Sequence, residues 1–341
     1  MKTVKDLIEG GVLRFAVMPP GNPQTLDFPF YTVPLLQHDY SAKTAIMWNA
    51  VYQQLGLPVG NIMLIGDPNR MEEIFAVFRR DEKYLGGGAG VGFKDKSLPY
   101  LDEVEPKAKA VGAVNFIMKT ADGKLKGYNT DGLGYAQSLE ERFSQRQERL
   151  AGKKIVVLGA GGTSNAVAFA LAEKNARLVI LNRTVEKAQN LAGAINGFYY
   201  LTGKTKARFG GEEQTSIEVR DADVVVNVST KGSAGDLLPY SALAPVKLPA
   251  TEENLRINRD AAAVILKLIP RRAIVSDIVL VNGSTVLLQQ AQADGLEILG
   301  GVPMVINQGV MAFWLLHQED LVKKEVTEKT IKTIMQQAAL G

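Results

Sequence analysis

The stretch "VVLGAGGTSNA", residues 156–166, decides how this chain folds. An apolar, β-branched run passes directly into glycines, and an alanine-rich segment with helical character follows. Apolar strands without alternation are typical of a parallel sheet that is covered on both faces. Gly159, Ala160, Gly161 and Gly162 would form a tight turn whose bare backbone lets a pyrophosphate approach the N-terminus of the next helix. The stretch therefore predicts a dinucleotide-binding unit of the Rossmann type.

The sequence around this motif supports the prediction, although one position departs from the usual pattern. A strict Gly-x-Gly-x-x-Gly would place its third glycine at Ser164. The strand "RLVILNR" (177–183), the helix "TVEKAQNLAGAI" (184–195) and the strand "DVVVNVS" (223–229) then follow in the order that such a unit requires. The alternative, a purely structural strand–helix turn, fits this context less well.

The end of the second strand indicates which dinucleotide binds. Asn182, Arg183 and Thr184 lie there, and Lys187 follows one helical turn later. An NAD site places an acidic residue at this point for the ribose hydroxyls, and an acid would repel a 2′-phosphate. A guanidinium can pair with that phosphate and stack on adenine. The sequence thus favours NADP, and the alternative for Arg183 is an ordinary solvated surface residue.

Length and composition exclude several classes of protein. A chain of 341 residues, 46% hydrophobic and 22% charged, is long enough for two domains with real cores. A net charge of +3 without dense basic blocks argues against a nucleic-acid partner. The absence of cysteine fits a reducing cytoplasm, and two histidines, His38 and His317, make a multi-histidine metal site unexpected.

No membrane association is expected, because no apolar run is long enough for a membrane helix and the N-terminal "MKTVKDLIEGG" carries acids. A homodimer is one oligomeric state that the sequence allows.

The remaining sequence suggests a second, smaller α/β unit before residue 132, with a mostly parallel sheet. The segments "FYTVPLLQ" (30–37) and "NIMLIG" (61–66) are predicted strands, and residues 98–112 are predicted to be helical. Residues 1–27 suggest an extension or connector, and "PATEENLRINRD" (249–260) suggests a charged insertion. From residue 301 the chain is predicted to be helical.

Four motifs in order resemble the shikimate/quinate dehydrogenase family, over roughly residues 31–320. They are "KGYNTDGLGY" (126–135), "GAGGTSNAVAFAL" (159–171), "LNRTVEKA" (181–188) and "INQGVMAF" (306–313). The resemblance implies an α/β protein with two domains. Residues 1–131 plus 302–341 would be an N-terminal α/β catalytic domain to which the C-terminal helices return, and residues 132–301 an NADP-binding Rossmann domain.

The activity implied is reversible hydride transfer between NADP and a ring hydroxyl of shikimate, a small-molecule substrate, giving 3-dehydroshikimate. This reaction belongs to aromatic amino acid biosynthesis.

The resemblance also implies which residues form the site. Lys94 falls on the catalytic lysine of the family, and Asp131 on the aspartate of its "NTDG" motif. Further positions that match family residues contact the substrate or line the nicotinamide pocket. The substrate positions are Thr44, Asn115 and Gln308, and the cofactor positions are Val228, Gly301 and Met304.

The chemistry of such a lysine and carboxylate is coherent. Oxidation of an alcohol needs a group that takes the hydroxyl proton, and a lysine beside a carboxylate can be positioned for that work. Lys94 follows the glycine-rich stretch "GGGAGVGFKDK" (86–96), which is not a P-loop because Phe93 precedes the lysine and Asp95 follows it. Taken singly, Lys94 reads as a solvated loop lysine and Asp131 as a helix N-cap.

The substrate is less well defined than the reaction, because several family positions differ in this chain. The departures are Gly88, Gly90 and Gly92 for Asn, Thr and Pro; Ala42 and Thr44 for two serines, with Ser41 one place off; Phe116 for Thr; and Leu280 for Tyr. Threonine at the second of the serine positions is associated with quinate in the family. A dehydrogenase of quinate or of another cyclic hydroxy acid therefore stays open, as does a non-catalytic sensor of NADP and ligand.

Overall fold

The structure, a computed structural model, describes residues 2–18, 21–39, 42–202 and 207–340, so Ser41 lies outside the described residues. Its helices are α1 (Val4–Glu9), α2 (Thr44–Gln54), α3 (Met71–Arg80), α4 (Pro106–Val111), α5 (Asp131–Gln145), α6 (Gly162–Glu173), α7 (Val185–Phe198), α8 (Thr215–Glu218), α9 (Glu252–Leu266), α10 (Val286–Ala293), α11 (Val302–Lys323) and α12 (Glu328–Leu340). Its strands are β1 (Leu13–Phe15), β2 (Phe30–Thr32), β3 (Leu35–Leu36), β4 (Val59–Asn61), β5 (Leu64–Gly66), β6 (Tyr84–Gly88), β7 (Glu103–Val104), β8 (Phe116–Lys119), β9 (Leu125–Tyr128), β10 (Lys154–Leu158), β11 (Arg177–Leu181), β12 (Arg208–Gly210), β13 (Val224–Asn227), β14 (Ile274–Asp277) and β15 (Glu297–Leu299).

The chain forms two compact units, one of residues Met1–Gly134 with Val305–Gly341 and one of residues Tyr135–Met304. It leaves the first unit within α5 and returns to it within α11. Among the helices of the described ranges, none combines the length and apolarity that a membrane crossing would require. Strands and helices alternate in both units, as the predicted α/β class requires.

The second unit is built on a parallel sheet with the strand order β12-β11-β10-β13-β14-β15. All five residues of β10 are buried, which explains why the four that follow Lys154 are all apolar. Later strands are added on one side of β10 up to β12 and on its other side from β13 to β15. A reversal of this kind creates the crevice at the carboxyl ends of the strands in which α/β sheets bind nucleotides.

The first unit has a mixed sheet with the order β4-β2-β6-β8-β9-β7, and β1-β5-β3 form a smaller sheet beside it. The prediction of a mostly parallel sheet is only partly correct, because β8 runs antiparallel to both β6 and β9. The "ADGK" turn joins β8 to β9 as a hairpin. The predicted strand over 30–37 is divided at Pro34, and its two halves join different sheets.

The N-terminal segment is part of the core, so its interpretation as an extension or connector is wrong. Val4, Leu7 and Leu13 are buried in the main apolar cluster of the first unit. Strand β1 pairs with β5, and the Val4 N–H donates to the Asp81 carboxylate at 2.8 Å. The amphipathic pattern of α1 was the signal for this packing.

Two further segments differ from the sequence-based expectation. Of residues 98–112, only α4 forms an α-helix: Leu98–Tyr100 form a 3-10 helix, and Asp102, which accepts from the Leu125 N–H at 2.8 Å, leads into the extended strand β7. The proposed charged insertion is the beginning of α9, which Thr251 caps and which buries Asn258 and Ala262. Its exposed face carries the charges that suggested an insertion.

A buried histidine in the first unit makes the stability of the protein depend on pH. His317 on α11 is 6% exposed, and a hydrogen bond of 3.0 Å joins its Nε2 to the Tyr52 hydroxyl on α2. Burial lowers the pKa of His317 from 6.5 to about 4, although Asp320 acts in the opposite direction. The unfolded chain therefore takes up this proton at a higher pH than the folded chain does.

We expect the free energy of unfolding to fall as the pH falls from 6.5 to about 4, by about 3 kcal/mol from this histidine. Urea unfolding of the wild type and of His317→Gln across this range measures the effect. The free energy of unfolding of the wild type should fall relative to that of the variant toward low pH, since the variant has no imidazole to protonate. A difference in the free energy of unfolding between the two proteins that does not change with pH would contradict the lowered pKa of His317.

Candidate active site

Lys94 and Asp131 form an ion pair although they lie 37 positions apart in the chain. The Lys94 Nζ lies 2.5 Å from the Asp131 Oδ2. Asp131 is the first residue of α5 and its side chain is 11% exposed, whereas that of Lys94 is 35% exposed. The Val114 N–H donates to the Lys94 carbonyl at 2.8 Å and so fixes the lysine backbone beside the entry to β8. The pair combines a proton-carrying amine with a nearly buried carboxylate.

An amide network surrounds this pair. The Asn115 Nδ2 lies 2.8 Å from the Asp131 Oδ1, 2.9 Å from the Thr130 Oγ1 and 3.1 Å from the Gln308 Oε1. The Thr130 N–H donates to the Asn115 Oδ1 at 2.8 Å. Thus the structure brings Lys94, Asp131, Asn115 and Gln308 together, and all four were predicted site residues.

Thr130 is a member of this cluster that the sequence analysis missed. Its hydroxyl lies 3.3 Å from the Gln308 Oε1, and the residue is buried. The available signal was its place in the "NTDG" motif, directly before Asp131. A hydroxyl beside a carboxylate and two amides adds a further polar group for a polyhydroxylated ligand.

Thr44 and Phe116 are not part of this cluster. Thr44 begins α2 and is half-buried, and no hydrogen bond within the described residues links it to Lys94 or Asp131. Phe116 is buried against Trp48 and Tyr128, with ring centroids 6.0 and 6.3 Å away. The departure from the family at Phe116 therefore extends an aromatic core.

The glycine-rich stretch before Lys94 is explained mostly by close backbone packing. A Cβ on Gly87 would lie 2.0 Å from the Val33 carbonyl oxygen, and Gly92 has a φ of +86°. At Gly88, by contrast, a Cβ would meet nothing closer than 3.5 Å. The Gly90 N–H already donates to the Leu35 carbonyl at 2.9 Å, so it is not a spare donor for a ligand.

The second glycine motif lies between β10 and α6 in the second unit. Gly159 has a φ of +116°, and a Cβ there would lie 2.9 Å from the Ser229 nitrogen. Nothing would lie within 4 Å of a Cβ on Gly161 or Gly162, so this side of the turn is open at the N-terminus of α6. Ala160 lies between Gly159 and Gly161 in this turn. An open turn of this kind fits a pyrophosphate group.

Ser164 explains the missing third glycine of this motif. Its buried hydroxyl accepts a hydrogen bond from the Gly161 N–H at 3.2 Å and donates one to the Val228 carbonyl at 3.1 Å. The serine therefore joins the glycine turn to the residue that follows β13.

The residues after β11 leave positive charge exposed. Asn182 donates through its Nδ2 to the Thr184 carbonyl at 2.9 Å, which closes the turn into α7. Arg183 and Lys187 are exposed, and neither forms an ion pair with a carboxylate in the part of the chain that the structure describes. Two such cations beside the end of a Rossmann strand fit a 2′-phosphate.

Two of the three predicted nicotinamide-pocket residues lie at the carboxyl edge of the same sheet. Val228 donates its N–H to the Leu158 carbonyl at 2.9 Å, at the end of β10. A Cβ on Gly301 would lie 2.5 Å from the carbonyl oxygen of Ile278, which follows β14. Met304 is buried in the first turn of α11. Leu280, which stands where the family has a tyrosine, is 54% exposed.

Comparison with known proteins identifies both units. Residues 39–117 match the profile of the shikimate dehydrogenase substrate binding domain, and residues 141–209 match that of shikimate / quinate 5-dehydrogenase. A shikimate dehydrogenase (NADP(+)) of Alkaliphilus metalliredigens is 32% identical over 278 residues, which are 81% of this chain and 87% of the relative. That of Methanocaldococcus jannaschii is 33% identical over 291 residues, or 82% and 86% of the two chains.

A crystal structure of a shikimate dehydrogenase in complex with NADP+ resembles the chain with a TM-score of 0.71 and 26% identity. The similarity covers 94% of this chain and 98% of the other. The fold class predicted from the sequence, an α/β substrate domain with a Rossmann-type cofactor domain, is confirmed. The chain belongs to the shikimate dehydrogenase family.

Proposed function

We propose that the protein is an NADP-dependent oxidoreductase that transfers hydride reversibly between NADP(H) and a ring hydroxyl of shikimate or a close relative. The observation that carries this proposal is the contact of 2.5 Å between Lys94 and Asp131 inside the amide network. The names of the relatives and their NADP dependence agree with it.

The two units would divide the work. The substrate would bind to the catalytic domain, predicted as residues 1–131 plus 302–341, and NADP to the Rossmann domain, predicted as residues 132–301. The compact units Met1–Gly134 with Val305–Gly341 and Tyr135–Met304 support this assignment.

Lys94 would act as the acid–base group. In the oxidation direction the deprotonated amine of Lys94 accepts the hydroxyl proton of the substrate, and the Asp131 carboxylate stabilises the ammonium that this transfer restores. Asn115 and Gln308 orient substrate hydroxyls through their amides, and Thr44 provides a hydroxyl at the N-terminus of α2. The chemistry that bound NADP+ would supply is that of a hydride acceptor for the carbon that carries the hydroxyl.

The cofactor would be held along the carboxyl edge of the Rossmann sheet. Gly159, Ala160, Gly161 and Gly162 receive the pyrophosphate at the N-terminus of α6, with Asn182 and Thr184 shaping the turn beside the adenosine. Val228, Gly301 and Met304 line the nicotinamide pocket. Arg183 and Lys187 bind the 2′-phosphate.

Replacing Arg183 by Ser is expected to weaken NADP+ binding by about 10- to 100-fold and to leave NAD+ binding within about twofold, because only the 2′-phosphate loses a charged partner. Isothermal titration calorimetry with both dinucleotides measures the effect. Arg177→Ser is the matched control, since Arg177 is exposed at the opposite end of β11. Equal losses for the two dinucleotides would contradict the assignment.

The reaction is tested by initial rates of the purified protein with NADP+ and shikimate, quinate or another cyclic hydroxy acid. Turnover of shikimate with a KM between about 1 μM and 1 mM is expected. Robust turnover of quinate or another ring with only weak use of shikimate would instead favour the alternative substrate that Gly88, Gly90 and Ala42 suggest. Normal NADP+ binding without turnover of any cyclic hydroxy acid would favour a non-catalytic sensor.

A cytoplasmic location and a homodimer stay predictions. The first rests on the absence of cysteine from the sequence. Sedimentation analysis of the purified protein tests the second.

A further inference from the structure

The second unit buries a carboxylate that the proposed reaction does not use. Asp277, the last residue of β14, is 1% exposed. Its Oδ1 accepts from the Val279 N–H and from the Asn227 Nδ2, both at 3.0 Å, and its Oδ2 accepts from the Thr285 hydroxyl at 2.7 Å. Within the described part of the chain, no Lys, Arg or His forms an ion pair with it. The carboxylate is thus held by neutral donors alone.

Burying an anion with no positive charge beside it lowers the stability of the folded protein. Burial raises the pKa of Asp277 to about 6, so the group is mostly ionised at neutral pH. A buried charge without an opposite charge is destabilising, whereas an uncharged amide of the same shape would avoid most of that cost. A cation that binds nearby would make the charge favourable.

The position of Asp277 shows where this cation would lie. Leu158, Asn227 and Asp277 are direct neighbours across β10, β13 and β14, at the carboxyl edge of the sheet. Gly159 directly follows the first of them, and Val228 follows the second.

The residue after Asp277 extends the same edge. The carbonyl of Ile278 lies against the Cα of Gly301. Of the proposed nicotinamide-pocket residues, Val228 therefore follows Asn227, which donates to Asp277, and Gly301 packs against the residue that follows Asp277.

We propose that the Asp277 carboxylate is the counter-charge of the oxidised nicotinamide ring, so that the site favours NADP+ relative to NADPH. The inference rests on the proposed function, because it takes NADP as the cofactor. The oxidised ring carries a positive charge and the reduced ring does not, so a fixed negative charge stabilises only one of the two forms. Asn227 and Thr285 are positioning residues for the carboxylate.

The test compares the dissociation constants of NADP+ and NADPH, measured by calorimetry without substrate. Asp277→Asn is expected to raise the ratio Kd(NADP+)/Kd(NADPH) by about three- to tenfold, because the isosteric amide removes the charge. Asp260→Asn is the matched control: it makes the same substitution at an exposed carboxylate on α9, so it should leave the ratio unchanged. An unchanged ratio in Asp277→Asn would overturn the inference while leaving the proposed function intact.

The wild-type protein offers a second measurement that needs no variant. Its ratio should rise as the pH is lowered through about 6, because the carboxyl becomes neutral. Among the residues that the structure describes, Tyr135 on α5 is the other titratable group that faces Asp277, and burial raises its pKa, so it stays neutral throughout. The 2′-phosphate of the cofactor titrates in both redox forms and cancels in the ratio. A ratio that is constant across this range would overturn the inference, and an absence of NADP binding would overturn both it and the proposed function.

Discussion

Lys94→Ala is expected to lower kcat with shikimate by about 1,000-fold while the dissociation constant of NADP+ stays within about twofold. The reason is that the variant loses the group proposed to accept the hydroxyl proton but keeps the whole second unit. Lys96→Ala is the matched control, because Lys96 is an exposed lysine two residues later on the same turn. Steady-state rates of both variants, with calorimetry for NADP+, provide the measurement.

The two lysine variants also separate the enzyme from the sensor. In an enzyme, Lys94→Ala lowers turnover by about 1,000-fold and Lys96→Ala keeps it. In a sensor, neither substitution would alter the ligand response strongly. Turnover by Lys94→Ala within about tenfold of the wild type would contradict a role of Lys94 in proton transfer.

Asp131→Asn is expected to lower kcat by about 100- to 10,000-fold, because the amide cannot stabilise the ammonium that Lys94 becomes. The amide is close to the carboxylate in shape, so the helix start at Asp131 should be kept. Asp95→Asn is the control, since Asp95 is exposed beside Lys94. Wild-type values of kcat for Asp131→Asn, measured across a pH series, would contradict this role of the carboxylate.

The Rossmann half of the fold could be predicted because its signals are local. Strand β10, the glycine turn and α6 follow each other without interruption, and each carries its own pattern. The short edge strands β12 and β15 were not predicted, because three residues give little periodicity. Their place is determined by pairing with β11 and β14, which lie far away in the sequence.

The first unit was harder to predict because long-range contacts override local patterns there. Residues 98–112 have a helical composition, but the hydrogen bond from the Leu125 N–H to Asp102 keeps part of them extended. The N-terminal helix α1 was predicted to belong to a connector because its partners in the core, including Phe75 and Phe78, lie about 70 positions later in the chain.

The candidate site could be proposed only through the family resemblance. Lys94 and Asp131 are 37 positions apart, and nothing in their spacing alone places them in contact. The same holds for Gln308, which reaches Asn115 from a helix near the other end of the chain. The different roles of Gly87 and Gly88 also could not be predicted from the sequence. A side chain would fit at Gly88 but not at Gly87, and this depends on packing against residues far away in the chain.

A double-substitution cycle on kcat/KM tests most directly whether the ammonium and the carboxylate work as one unit. The four proteins are the wild type, Lys94→Ala, Asp131→Asn and the protein with both changes. Residues that act together lose their effect together, so the double variant should be no more than about tenfold slower than the worse single variant. Losses that multiply across the two positions would contradict the account, since each residue would then act without the other.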